Sequence, residues 1–91
     1  MSVDSLLLTG SQGSYYYNLS NLTLPKVDGN KHRVIFIITA ETGTNVTAHS
    51  GDVLFAFYNN SMQTTNSTTL STYKIYLAIS INNGQSSGWL L

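Results

Sequence analysis

Residues 72–81, TYKIYLAISI, put Tyr73, Ile75, Leu77, Ile79 and Ile81 on one parity and Lys74, Tyr76, Ala78 and Ser80 on the other. Successive side chains of an extended chain point to opposite faces, so this alternation reads as a β-strand. The unbroken apolar set predicts that the odd residues face a core and the even ones face outward. Working outward, residues 82–88 (NNGQSSG) form a loop or hairpin turn, and Trp89, Leu90 and Leu91 make a short apolar strand after it. On the other side, residues 59–67 (NNSMQTTNS) are polar, hold one Met and no aromatic residue, and read as a loop.

The same period continues toward the N-terminus. Residues 53–58 (VLFAFY) and, within an expected strand over residues 32–39, residues 34–38 (VIFII) are apolar on both parities, which predicts strands covered on both faces. A short strand over residues 46–49 lies between them, bounded by the turns ETGTN and SGD. Residues 28–29, Asp-Gly, signal a tight hairpin turn because that pair accepts positive φ. Before it, residues 15–27 carry a change of phase. Tyr15, Tyr17 and Leu19 share one parity while Leu22 and Leu24 share the other, so a β-bulge near Ser20 and Asn21 is expected. Residues 3–8 make a first strand. These observations predict one all-β domain over residues 1–91, a small antiparallel β-sandwich or barrel of six to seven strands.

Charge narrows the function. Lys plus Arg number 4 and Asp plus Glu number 4, so charged residues are 9% of the chain against roughly 25% in an ordinary soluble domain. Four cations do not make the basic footprint that phosphate backbones require, so nucleic acid is not an expected partner. Three of them, Lys26, Lys31 and Arg33, cluster around the Asp28-Gly29 turn and read as a solvated hairpin end. No Cys is present, which rules out disulfides and thiolate metal sites. The first eight residues lack a basic n-region, and no apolar run approaches the ~20 residues of a membrane helix. The chain therefore reads as soluble and unprocessed, without direct membrane insertion.

Catalysis needs converging titratable groups. His49, Ser50 and Asp52 in AHSGD are sequence neighbours, but neighbours in a strand and turn point in different directions, and the turn itself accounts for them. His32, His49, Glu41 and Asp52 show no recognised metal-ligand spacing. Neither an enzyme nor a cofactor or metal is expected. Five Asn-x-Ser/Thr sequons begin at Asn18, Asn21, Asn45, Asn59 and Asn66. Asn59 and Asn66, in the expected loop, are the glycosylation candidates.

The remaining signal is association. Edge strands are normally protected by Pro, Lys or inward charge, yet Pro25 is the single proline and Lys74 the single cation after Arg33. Edges and faces of this kind are expected to be covered by other subunits, with Tyr16, Tyr76, Trp89, Leu90 and Leu91 as candidate interface residues. Neutral polar content and Tyr- and Ile-rich strands, as in SYYYNLSNLT and TYKIYLAISI, resemble the small all-β structural proteins of virus particles: decoration, turret or spike, and minor capsid types of archaeal viruses or bacteriophages. That resemblance implies a homo-oligomeric subunit that packs on a larger capsid protein. It would be made in the host cytoplasm and located in the virion. The alternative is a carbohydrate-binding module whose exposed aromatic rings stack on a glycan.

Overall fold

The computed structural model describes residues 13–28 and 32–91. The strand expected over residues 3–8 and the tip of the Asp28-Gly29 turn lie outside the described residues. The described residues form nine strands: β1 (Gly13–Tyr17), β2 (Asn21–Thr23), β3 (Val34–Ile38), β4 (Thr44–Thr47), β5 (Val53–Tyr58), β6 (Ser61–Thr65), β7 (Ser67–Leu70), β8 (Ile75–Asn82) and β9 (Ser87–Leu90). They form a six-stranded sheet in the order β1-β3-β8-β9-β5-β6 and a three-stranded sheet in the order β2-β4-β7.

The all-β expectation holds, but the simple antiparallel arrangement does not. β1 and β3, β2 and β4, and β5 and β9 pair in parallel. The first four strands alternate between the sheets, so the chain winds twice around the core and each turn lays its strand parallel to the one before. The phase change after Tyr17 belongs to this winding and not to a bulge. Asn18 has φ 53°, donates its N–H to Ile38 O at 2.8 Å, and sends the chain from the large sheet to the small one. Leu22 then faces the core from the second sheet.

The core lies between the two inner faces. Ile35, Ile37, Leu54, Ala78 and Trp89 from the large sheet meet Leu22, Val46 and Leu70 from the small one, with Leu24, Val27 and Ala48 filling the ends. Trp89 is the largest fully buried side chain, and its Nε1–H donates to Pro25 O at 2.9 Å. The Arg33 guanidinium stands 5.8 Å from the centre of its ring, within the range of a cation–π contact. One cation of the expected hairpin tip is thus placed against the core. Two polar groups at the core's margin are paired: Thr44 Oγ1 donates to Leu19 O at 2.6 Å, and the Arg33 N–H donates to Ser80 Oγ at 2.8 Å.

In β8 the inward and outward sets are the reverse of those expected. Register pairs Ala78 with Ile35, Tyr76 with Ile37 and Ser80 with Trp89, and Ile35, Ile37, Ala78 and Trp89 are core residues. The even residues therefore face inward, and Ile75, Leu77, Ile79 and Ile81 face outward. Alternation states which residues share a face, and the partner layer decides which face is inside. Here small Ala78 lets the sheets approach, and the bulk comes from Trp89 and the second sheet.

Residues 59–67, expected as a loop, contain β6 and the start of β7. Asn59 and Asn60 have φ 50° and 64°, the conformation of a two-residue type I′ hairpin, which Asn tolerates better than most residues. The β6 side chains are all exposed because this strand is an edge of the large sheet.

Candidate functional site

The two outer faces of the sandwich differ in kind. On the small sheet, Asn21, Thr23, Asn45, Thr47, Ser67 and Thr69 are all exposed. Asn45 holds a short ladder across the strands: its Nδ2 donates to Asn21 Oδ1 at 3.5 Å, and it accepts from Thr69 Oγ1 at 2.7 Å. This face is neutral and hydrophilic.

The outer face of the large sheet is apolar. Register sets Tyr15, Phe36 and Leu77 in one row and Tyr17, Ile38 and Ile75 in the next, across β1, β3 and β8. Tyr15 is 70% exposed, Tyr17 59% and Ile75 70%, while Phe36, Ile38 and Leu77 are half-buried. No charged residue occupies either row. Phe57 and Met62, paired across β5 and β6, are exposed on the same side. Aromatic and aliphatic side chains contiguous over several strands form the kind of patch that marks an interaction surface on a soluble domain.

The chain fixes this face from its upper end. Lys74 N–H donates to Thr39 Oγ1 at 3.0 Å, Thr39 Oγ1 donates to Ser71 O at 2.6 Å, and Tyr73 N–H donates to Ala40 O at 3.0 Å. These bonds tie the β7–β8 connection to the end of β3, with Tyr73 at φ 55°, so that β8 starts at Ile75 beside Ile38. On the other flank, Asn18 Nδ2 donates to Glu41 Oε1 at 3.3 Å and places that carboxylate at the end of β1.

The interface candidates occupy different places from those expected. Tyr16 and Tyr76 pack against the core cluster, as does Leu91, and Trp89 has no exposed surface. Leu90 lies half-buried on the outer face, in the row of Val34, Ile79 and Phe55. Of the three consecutive tyrosines the exposed ones are Tyr15 and Tyr17, the parity that alternation alone assigned to packing. A signal for this was present in the sequence: both parities of residues 34–38 and one full parity of β8 are apolar, more than one small partner sheet can cover.

Other candidates resolve into structural roles. Asp52 is buried, with Oδ2 accepting from Val27 N–H and Oδ1 from Ser87 Oγ–H, both at 2.8 Å. His49 lies on the exposed turn, its Nδ1 2.9 Å from Ser50 O. Among the described residues no three His, Asp or Glu side chains converge on a point that could hold a metal ion. Asp52→Ala leaves the Val27 N–H and the Ser87 hydroxyl without their acceptor, and we expect a loss of about 1–3 kcal/mol. Urea titration reads this as a lower midpoint at unchanged slope. Asn59 and Asn66 are both exposed, the first in the β5–β6 turn and the second where the chain passes from one sheet to the other.

A cleft of about 300 Å³ opens between the sheets, lined by Leu54, Ala56, Thr68, Leu70, Tyr76 and Leu91 among others. No charged side chain lines it. It arises because three strands cannot cover six, and β5 extends beyond the reach of β7.

No family model, curated protein or solved structure matches the chain.

Proposed function

We propose that the protein is a structural subunit of a virus particle, of the decoration or minor capsid kind, which acts by packing on copies of itself and on a larger capsid protein. The observation that supports this best is the contrast between the outer faces: one neutral and hydrophilic, the other apolar and without charge. A domain with that polarity is oriented by what it binds, with the apolar side against a neighbour and the amide and hydroxyl side toward water. The work is geometric, and separate hydrogen bonds of Asp52, Thr39 and Thr44 tie connecting segments to the sheets.

The carbohydrate-binding alternative has less support. Trp89, one of its candidate rings, is sealed in the core, and the rows that hold Tyr15 and Tyr17 contain only apolar side chains beside them, Phe36 and Leu77 in one and Ile38 and Ile75 in the other.

Two measurements test the proposal. Light scattering across a wide concentration range should give a mass above that of the monomer, and a monomer throughout would overturn self-association. Mass spectrometry of density-purified particles should find the chain in the particle fraction. Its confinement to the soluble fraction would overturn the virion location.

A further inference from the structure

We propose that the apolar face of β1, β3 and β8 is covered by the same face of a second copy of this chain, about a two-fold axis that lies in the interface along β3. This rests on the self-association proposed above and names its surface and symmetry.

Area is the first argument. Large aromatic side chains bury roughly 150–250 Å² each, so Tyr15, Tyr17, Phe36, Ile38, Ile75 and Leu77 with their rim present on the order of 600 Å². That exceeds isolated apolar residues on a monomer and approaches the ~800 Å² per partner of a standard interface. Because the rows carry no charge, a face placed against its own copy buries no unpaired ion, whereas an acidic or basic partner would find nothing to pair with.

Shape and charge select the axis. Rotation by 180° about a line parallel to β3 keeps strand direction and exchanges left with right. β1 of one copy then lies over β8 of the other, so the projecting Tyr15 and Tyr17 rings meet the shorter Leu77 and Ile75 side chains. An axis perpendicular to the strands would instead set tyrosines on tyrosines. The parallel axis also keeps the same ends of the two sheets together. Lys74 precedes Ile75 at that end of β8, and Glu41 sits beside Asn18 at the same end of β1. Both are exposed. The rotation brings Lys74 of each copy toward Glu41 of the other, two ion pairs at the rim of an apolar patch, which is the usual anatomy of a protein interface. The sheets would pack ~10 Å apart in the aligned manner of a β-sandwich.

Sedimentation equilibrium of the full chain is the test, with circular dichroism to show that each variant folds. Wild type should be dimeric or a multiple of dimers. Ile75→Lys changes a side chain that is 70% exposed, so its melting curve should match wild type at a monomer-favouring dilution, while its dissociation constant rises about 100-fold or more. Glu41→Lys and Lys74→Glu should each weaken the dimer by about tenfold, and the double variant should regain most of the loss. Glu41→Lys weakening without rescue by Lys74→Glu would overturn the axis. An oligomer indifferent to Ile75→Lys would overturn this face while leaving self-association through another surface intact. A wild-type monomer would overturn both.

Discussion

Trp89→Ala should leave the chain mostly unfolded under conditions in which wild type is native. Removing a fully buried Trp or Phe costs about 3–5 kcal/mol through lost transfer energy and the cavity left behind. Trp89 has further attachments that add to this. Pro25 O loses the donor 2.9 Å away, and the Arg33 guanidinium loses the ring 5.8 Å below it. An orphaned carbonyl costs ~1 kcal/mol or more, and a partly desolvated cation–π contact is worth roughly 0.5–1 kcal/mol. The total, about 5 kcal/mol, equals the lower end of the whole stability of a domain this size. At roughly 4–8 °C per kcal/mol, the melting temperature falls by about 20 °C or more.

Trp89→Phe separates the contributions. It keeps an aromatic ring between Arg33 and the inner face but removes the donor to Pro25, so its cost should be about 1–3 kcal/mol. Far-UV circular dichroism during urea denaturation measures both variants. In wild type the single Trp gives an independent probe, because its emission shifts to the red as the core opens. A Trp89→Ala variant within ~1 kcal/mol of wild type would show that the core is not built around this residue.

How far the sequence reveals the molecule follows from what a period of 2 encodes. It located β3, β5 and β8 within a residue or two and showed that Leu22 and Leu24 change phase relative to Tyr17, because these depend on chain neighbours alone. It did not show which face of β8 is inside, since Ile75 and Tyr76 are distinguished only by what lies across the sheet. The parallel pairs were invisible for a related reason. A strand that crosses to the opposite layer leaves the same polar interruption as a hairpin, and only the positive φ of Asn18 makes the difference. β6 escaped because SMQTT is neutral, exposed on both faces and without alternation, although the Asn59-Asn60 pair before it is a recognisable turn signal. The outer face follows the same logic. Tyr15, Tyr17 and Ile75 alternate as core residues do, and only their exposure in the folded chain makes them a site.

Gly88→Ala should detach β9 from β5. A Cβ built at Gly88 would stand 1.8 Å from Val53 O, 2.7 Å from Val53 C and 3.0 Å from Val53 N. The obstructing atoms are backbone, so no rotamer change relieves the contact, and the parallel pairing of Val53 with Gly88 must open instead. The neighbouring pair in that register is Leu54 with Trp89, so displacement of β9 moves the central core residue as well. Ordinary overpacking costs about 1–3 kcal/mol where side chains can yield. With a rigid obstacle and a coupled core residue the loss should be about 3 kcal/mol or more, among the large values for a single substitution. Gly84→Ala is the informative comparison. It sits in the β8–β9 turn at φ 88° with open space around it, so it pays backbone strain of about 1–2 kcal/mol without touching β5. Hydrogen exchange distinguishes the two: Gly88→Ala should expose the amides that join β9 to β5 while those joining β3 to β8 stay protected, and Gly84→Ala should lower protection without singling out that seam. Equal stability of Gly88→Ala and wild type would mean that β9 and β5 are not in contact along this register. The six-stranded sheet would then divide into β1-β3-β8-β9 and β5-β6.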